Sequence, residues 1–241
     1  PKGGQRSMNP QKAAPPSRLS RNPKPRGLAS GKARFVILVS GRGSNLQAFL
    51  DASSQGSLNA EVVLVVSSES EAPALERARQ AAVPARAFPY RPEPGLDRAA
   101  SRRLYDARLA ELIEPWKPDY IFLLGWMRIL SNAFLGRFPG RVYNLHPALP
   151  GRFPGTQSIQ RAWEAWRRGE ISCSGAMVHL VPDEGVDTGP VLESESLSFA
   201  PGEGLEEFEA EMHRLEHRLV LRAAARLSAH LNKTETDTKG G

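Results

Sequence analysis

The chain has 241 residues, of which 40% are apolar, and it carries a formal net charge of +6. No apolar run approaches the ~20 residues that a transmembrane helix needs, so the composition predicts a protein with no membrane partner. Cys173 is the only cysteine, which excludes an intrachain disulfide and a multi-cysteine zinc site. Because no secretory-type apolar segment stands near the start, the sequence favours a cytoplasmic location.

The positive charge is concentrated at the N-terminus. Residues 1–34 contain nine Lys or Arg and no Asp or Glu, so the rest of the chain has 23 basic and 26 acidic side chains and is mildly acidic. Residues 1–33 have few large apolar groups to offset the entropy lost on ordering. We predict a disordered basic arm at 1–33, a globular domain at 34–231 and a polar tail at 232–241. This distribution argues against a nucleic-acid partner, although charge alone leaves open a weak nucleic-acid tether in the arm.

The first part of the globular domain alternates between strand and helix patterns. Residues 34–40 and 61–67 are nearly continuous apolar runs rich in β-branched side chains, typical of strands buried on both faces of a parallel sheet. Residues 73–83 have helical spacing with a proline in the first turn, and residues 85–88 fit a short third strand. The alternation predicts an α/β fold with a doubly wound, mostly parallel, Rossmann-like sheet and helices on both faces.

A glycine-rich turn joins the first predicted strand to a helix. Such a turn exposes backbone N–H groups at a helix N-terminus, where the helix dipole also favours an anion. A Walker motif is excluded because Gly-Lys-Ser/Thr is absent, and the dinucleotide motif is excluded because Leu46 stands where its third glycine is needed. The turn suits a single phosphate, with the Ser44 hydroxyl and the Asn45 amide as additional donors. An ordinary strand-to-helix turn would have the same pattern.

The middle of the chain predicts an amphipathic helix at 99–114 and another buried strand at 118–125. The apolar segment 127–130, interrupted by Arg128, follows that strand. In open α/β sheets, ligands bind beyond the carboxyl ends of the strands. The segment therefore either borders a ligand or packs at the entry to a helix.

Asn144 and His146 end the next apolar run, just before Pro147 stops the strand. Residues i and i+2 of a strand point to the same face, so the amide and the imidazole would project together from the strand end. A neutral donor beside a titratable group suits addition to a carbonyl, in which charge develops on oxygen while a proton moves. A polar strand end without catalytic function remains the alternative at this point.

The last part of the chain predicts a Pro- and Gly-rich loop at 147–155 and a helix at 157–168. A strand at 172–181 then leads into an acidic loop at 182–190. A long amphipathic helix at 205–231 closes the domain.

Four segments together resemble phosphoribosylglycinamide formyltransferase, a folate-dependent family of purine synthesis, in order and spacing. The segments are residues 40–47, 125–130, 144–147 and 183–190. The resemblance extends over about residues 34–231 and implies the formyltransferase fold. It implies transfer of a formyl group from 10-formyltetrahydrofolate to the amine of phosphoribosylglycinamide in de novo purine biosynthesis, with small-molecule substrates and no metal.

The resemblance also implies which residues act in catalysis. Asn144, His146 and Asp187 match the family's catalytic residues. Asn144 would donate to the oxyanion, and protonated His146 would neutralise it and deliver a proton. Asp187 would orient His146 and raise its pKa.

The same resemblance implies two binding sites. The residues that match the phosphate and ribose contacts of the substrate are Gly43, Ser44, Asn45 and Glu216. The residues that match the folate contacts are Arg102, Met127, Arg128, Ile129, Leu130 and Asn144, with the acidic loop 182–187 as the opposite wall. The chain departs from the family at 147–151, where Pro-Ala-Leu-Pro-Gly replaces the more usual Pro-Ser-Leu-Leu-Pro, so the conformation of that loop is not predicted.

Three alternatives stay open. Methionyl-tRNA formyltransferases are similar around Asn144, His146 and Asp187, but they usually add a C-terminal tRNA domain, and this chain ends about ten residues after the last predicted helix. A formyltetrahydrofolate deformylase would not need a phosphate site. A non-catalytic folate- or phosphosugar-binding protein would explain the phosphate site but not the three polar groups. The sequence is compatible with a monomer or a homodimer.

Overall fold

The computed structural model describes residues 31–238, with side chains for residues 31–231. The basic arm predicted at 1–33 lies almost wholly outside the described residues. None of the helices in the described part of the chain combines the length and the apolar content that a bilayer crossing requires.

A single mixed sheet forms the centre of the fold. The strands are Ala33–Val39 (β1), Ala60–Ser67 (β2), Ala85–Ala87 (β3), Tyr120–Leu123 (β4), Val142–His146 (β5), Cys173–Leu180 (β6) and Val191–Ser198 (β7). Their order across the sheet is β3-β2-β1-β4-β5-β6-β7. Neighbouring strands from β3 to β5 pair in parallel, whereas β6 and β7 pair antiparallel at one edge. The predicted mostly parallel, doubly wound sheet is confirmed.

The helices lie on both faces of this sheet. They are Ser44–Ser54 (α1), Pro73–Gln80 (α2), Arg98–Ile113 (α3), Asn132–Leu135 (α4), Ser158–Arg167 (α5) and Leu205–Thr238 (α6), with a short 3₁₀ helix at Glu114–Trp116. The end of α6 differs from the predicted end at residue 231, because residues 232–238 contain no Pro or Gly that would stop a helix. The predicted polar tail therefore begins as a continuation of α6.

The two faces of strand β1 are both buried, and this explains its uninterrupted apolar sequence. Phe35 and Ile37 point into the apolar layer beneath α1 and α6, whereas Val36 and Leu38 point into the layer beneath α3 and α4. All four side chains are fully buried. A strand with helices on both faces must present apolar side chains in both directions, and this explains the continuous run.

The strand order indicates at which end of the sheet a ligand would bind. The chain leaves β1 toward β2 and β3, and then crosses back to β4 and β5, so the direction of winding reverses between β1 and β4. The carboxyl ends of these two strands are joined by a hydrogen bond from the Ser40 N–H to the Gly125 carbonyl at 3.0 Å. A second bond runs from the Met127 N–H to the Ser40 hydroxyl, also at 3.0 Å. Ligands of doubly wound sheets bind at such a reversal point.

Candidate active site

Asp187 lies at the centre of a cluster of polar groups at the end of β5. Its Oδ1 accepts a hydrogen bond from the Asn144 side chain at 3.0 Å and lies 3.3 Å from His179 Nε2. Its Oδ2 accepts the Gly155 N–H at 2.8 Å and lies 3.4 Å from His146 Nδ1. The structure thus brings together the three residues that the resemblance assigned to catalysis, although they come from two separate segments.

Backbone strain accompanies this arrangement. Asp187 has φ of 55° and Phe153 has φ of 43°, a left-handed conformation that side chains other than glycine seldom adopt. Such conformations persist only where surrounding contacts enforce them, and they occur often at functional sites. In the acidic loop, the hydrogen bonds that the Asp187 carboxylate accepts from Asn144 and Gly155 hold this residue in its left-handed conformation.

His146 is 4% exposed and is held at both ring nitrogens. Nδ1 faces Asp187, and Nε2 lies 3.1 Å from the Phe153 carbonyl oxygen, which can only accept. The loop at 147–155, whose conformation the sequence did not predict, therefore folds back over the end of β5 and covers the ring.

Burial lowers the pKa of His146, and this outweighs Asp187 and the Phe153 carbonyl, which raise it. Asp187 thus raises this pKa as predicted, but burial of the ring outweighs its effect, so the net shift is downward. Burial acts on Asp187 in the opposite sense, but hydrogen bonds from His179 and the Gly155 N–H, together with the nearby imidazoles, hold the pKa of Asp187 below its usual value. The two pKa directions favour an ionised carboxylate beside a neutral imidazole.

His179 is a member of the cluster that the sequence analysis missed. Its Nδ1 lies 2.8 Å from the Leu180 carbonyl oxygen, which can only accept, so Nδ1 carries a proton. Its Nε2 lies 3.3 Å from the Asn144 side-chain nitrogen and 3.3 Å from Asp187 Oδ1. Asn144 and His179 are direct partners in the antiparallel pairing of β5 with β6. His179 thus helps to orient the Asn144 amide, a role visible only once the register of these strands is known.

The glycine-rich turn opens α1 as predicted. Gly43 has φ of 74°, and a Cβ at this position would lie 2.7 Å from the Ala74 Cβ on α2. No other residue would satisfy both requirements without strain. Beyond Gly43, the backbone N–H groups of the first turn of α1 have no partner within the helix. The Oδ1 of Asn45 is buried without a hydrogen-bond partner among the described residues. Polar groups at this turn are therefore left for a ligand.

Glu216 extends the site from α6. Its side chain is buried, and its Oε2 accepts a hydrogen bond from His213 Nδ1 at 2.7 Å. This bond raises the pKa of His213, whereas the charge of Arg42 lowers it. Arg42 immediately precedes Gly43 in the chain. Because the charge of Arg42 acts on His213, the hydrogen-bonded pair of His213 and Glu216 on α6 lies near the glycine-rich turn.

We predict that the two histidines titrate on opposite sides of the ordinary value of 6.5. In NMR titrations of the ring carbon-bound protons, His146 should change protonation below that pH, and His213 above it. Glu216→Gln should lower the pKa of His213, because the charged partner is removed, and should leave the pKa of His146 unchanged. Titration of His146 above 6.5 would contradict the dominance of burial at this site.

The residues that match the folate contacts include exposed apolar side chains. Met127 and Ile129 are 69% and 48% exposed after β4, and Val186 is 38% exposed on the acidic loop. Leu130 is only 2% exposed and belongs to the core, so only its backbone is available to a ligand. The Arg128 guanidinium stacks over the Tyr90 ring at 4.0 Å. The exposed apolar side chains on these two segments suit a flat ring system.

Arg102 lies on α3 and forms an ion pair with Glu184 of the acidic loop.

Among the described residues, no group of three or more His, Cys, Asp or Glu side chains is placed to hold a metal ion. A cavity of about 880 Å³, bordered by Leu50, Val63 and Trp116, lies at the amino ends of β1 and β2 and contains none of the clustered polar groups. Chemistry rather than cavity size therefore identifies the candidate site.

Comparisons with known proteins identify the family to which the chain belongs. Residues 33–224 match the family described as formyl transferase. The chain is 39% identical over 214 residues to the phosphoribosylglycinamide formyltransferase of Saccharomyces cerevisiae, and the match covers 83% of this chain and 100% of that protein. It is 36% identical over 213 residues to the Escherichia coli enzyme of the same name, covering 84% and 93%.

Two further comparisons extend this result. The chain is 37% identical over 217 residues to the trifunctional purine biosynthetic protein adenosine-3 of Drosophila pseudoobscura, of which it spans only 15%. The crystal structure of glycinamide ribonucleotide transformylase 1 from Symbiobacterium toebii superposes with a TM-score of 0.72 at 33% identity, covering 83% of this chain and 89% of that one.

Proposed function

The chain belongs to the formyl transferase family, and from this premise we propose how its site carries out the reaction. Its function is formyl transfer in purine biosynthesis, the activity for which its relatives are named. We take the formyl donor to be 10-formyltetrahydrofolate and the acceptor to be the amine of phosphoribosylglycinamide. The observation that carries the proposal is the single Asp187 carboxylate shared by Asn144, His146 and His179 at the end of β5.

His146 acts first as a base. The substrate amine attacks the formyl carbon, and neutral His146 takes the proton that the amine nitrogen loses. The lowered pKa of His146 supports this order, because a neutral imidazole can accept a proton. With Asp187 accepting a hydrogen bond from Nδ1, the lone pair of Nε2 takes the amine proton, and the amine replaces the contact of Nε2 with the Phe153 carbonyl. The imidazolium that forms is stabilised by Asp187, whose own pKa is held low. His146 then returns the proton to the leaving nitrogen of the folate as the bond from the formyl carbon to that nitrogen breaks.

Asn144 stabilises the charge that develops on the formyl oxygen. One of its side-chain N–H groups is bonded to Asp187 at 3.0 Å, and the contact with His179 is longer, at 3.3 Å. The longer contact is the one that a substrate oxygen can replace. A preorganised amide donor in a buried site is worth more than one in water, since no solvent must reorganise as the charge forms.

The two substrates bind on opposite sides of this cluster. The phosphate of the acceptor binds the N–H groups of Gly43, Ser44 and Asn45, where the helix dipole favours an anion. The ribose hydroxyls donate to the carboxylate oxygen of Glu216 that His213 leaves free. The folate ring occupies the cleft between residues 127–130 and 182–187, and Arg102 faces its carboxylate-bearing tail.

Two activities of the same chemistry compete with this proposal, namely transfer to methionyl-tRNA and hydrolysis of the donor. We expect formyl transfer to phosphoribosylglycinamide to exceed the other two when all three are measured on one preparation. Removing residues 1–33 should leave that rate unchanged, because no group proposed for the site lies in the arm. Dominant hydrolysis, or transfer to methionyl-tRNA that depends on the arm, would contradict the proposal. A cytoplasmic location and a monomeric or homodimeric state stay predictions.

A further inference from the structure

Glu184 ties the acidic loop to the opposite side of the folate cleft. One carboxylate oxygen forms an ion pair with Arg102 of α3. The other accepts the backbone N–H of Asn132, the first residue of α4, at 3.2 Å. A single side chain therefore connects the loop that carries Asp187 with two elements across the cleft.

Arg102 has donors that the fold itself does not satisfy. Its Nε is buried without a hydrogen-bond partner among the described residues, although the side chain as a whole is 33% exposed. The neighbouring acid, Asp106, is bonded to the Ser131 N–H at 2.7 Å rather than to Arg102. Glu184 is thus the carboxylate to which the guanidinium of Arg102 is hydrogen-bonded in the ligand-free chain.

We propose that Glu184 occupies the position of the ligand's tail carboxylate, so that the acidic loop and the folate tail compete for Arg102. The inference rests on the proposed function, because it requires a folate in the cleft. Folates end in a glutamate, whose carboxylate matches the fork of an arginine. Two carboxylates at one guanidinium repel each other, and this repulsion releases Glu184 when the tail binds. Glu184 thereby weakens the binding of ligands with a charged tail, and it leaves the binding of ligands without a tail charge unaffected.

The test uses two stable 5-deazafolate analogues, one with a single glutamate tail and one ending in a neutral benzamide. Binding of each to the full chain is measured by titration calorimetry. Glu184→Gln should tighten the glutamate analogue by roughly two- to fivefold, the scale of a partly exposed ion pair. It should leave the benzamide analogue unchanged, because the glutamine keeps an oxygen for the Asn132 N–H. In the Arg102→Met background, the gain from Glu184→Gln should disappear.

Glu93→Gln is the matched control. It removes an ion pair of similar exposure, Glu93 with Arg108 at 2.8 Å, from the same helix α3, and both ligands should bind as in the wild type. The inference is overturned if Glu184→Gln weakens the glutamate analogue, leaves it unchanged, shifts both analogues equally, or keeps its gain without Arg102. If the wild type binds neither analogue, the folate assignment in the proposed function fails and the inference fails with it. If the wild type binds the glutamate analogue but Glu184→Gln does not change its affinity, the inference fails and the proposed function stands.

Discussion

His146→Ala should lower kcat by roughly 10²- to 10⁴-fold, the usual cost of losing a general acid and base. The ring accepts the amine proton and returns it to the leaving nitrogen, so both halves of the reaction lose their proton carrier. Binding of the folate should change far less, because the ring lies beneath the 147–155 loop and contacts Asp187 and the Phe153 carbonyl. Steady-state kinetics and calorimetric binding of a folate analogue measure the two quantities separately.

The fold must be checked in this variant, because His146 is buried and its loss leaves the Phe153 carbonyl without its donor. His230→Ala provides a control, since it removes an imidazole from an exposed position on α6. Wild-type kcat/KM should fall as pH decreases through the lowered pKa of His146, because the base must be neutral. That fall should be absent in the variant. A folded His146→Ala protein with near-normal turnover would remove this residue from the mechanism.

The sheet could be predicted from the sequence because its strands are buried on both faces. In β1 and β2, the apolar run reports this burial directly, and the predicted ends lie within one residue of the observed ends. The end of α6 could not be predicted in the same way, since polar composition was taken as a sign of a tail. A helix can continue through polar residues when no Pro or Gly interrupts it.

The site could be predicted only in part, for a similar reason. Asn144 and His146 follow from the end of one strand, but Asp187 comes from a loop, and only the resemblance connected the two segments. His179 was missed because a histidine within a strand gives no local signal, and its partner depends on the β5 to β6 register. The predicted upward effect of Asp187 on the pKa of His146 is present, but the sequence could not show that burial of the ring in the folded chain outweighs it.

Asn144→Ala should lower kcat by roughly 10²- to 10³-fold, the cost of one oxyanion donor in a buried site. The loss should appear in kcat rather than in KM, because the charge on the formyl oxygen exists only as the amine adds. The variant also removes the 3.0 Å bond to Asp187. Asp187 should nevertheless stay in place through the Gly155 N–H and the two imidazoles. Retention of more than about a tenth of wild-type turnover would contradict the oxyanion role.

Asn144→Asp separates the loss of a donor from the loss of volume. Aspartate has nearly the same shape as asparagine, but when ionised it only accepts hydrogen bonds and would place a second carboxylate beside Asp187. We expect turnover to fall at least as far as in Asn144→Ala. The additional negative charge should also raise the pKa of His146 and move the fall in kcat/KM to higher pH. A purely structural Asn144 would instead predict that the isosteric aspartate is tolerated better than alanine. The order of these two variants, together with the pH shift, therefore tests whether the amide acts on developing charge.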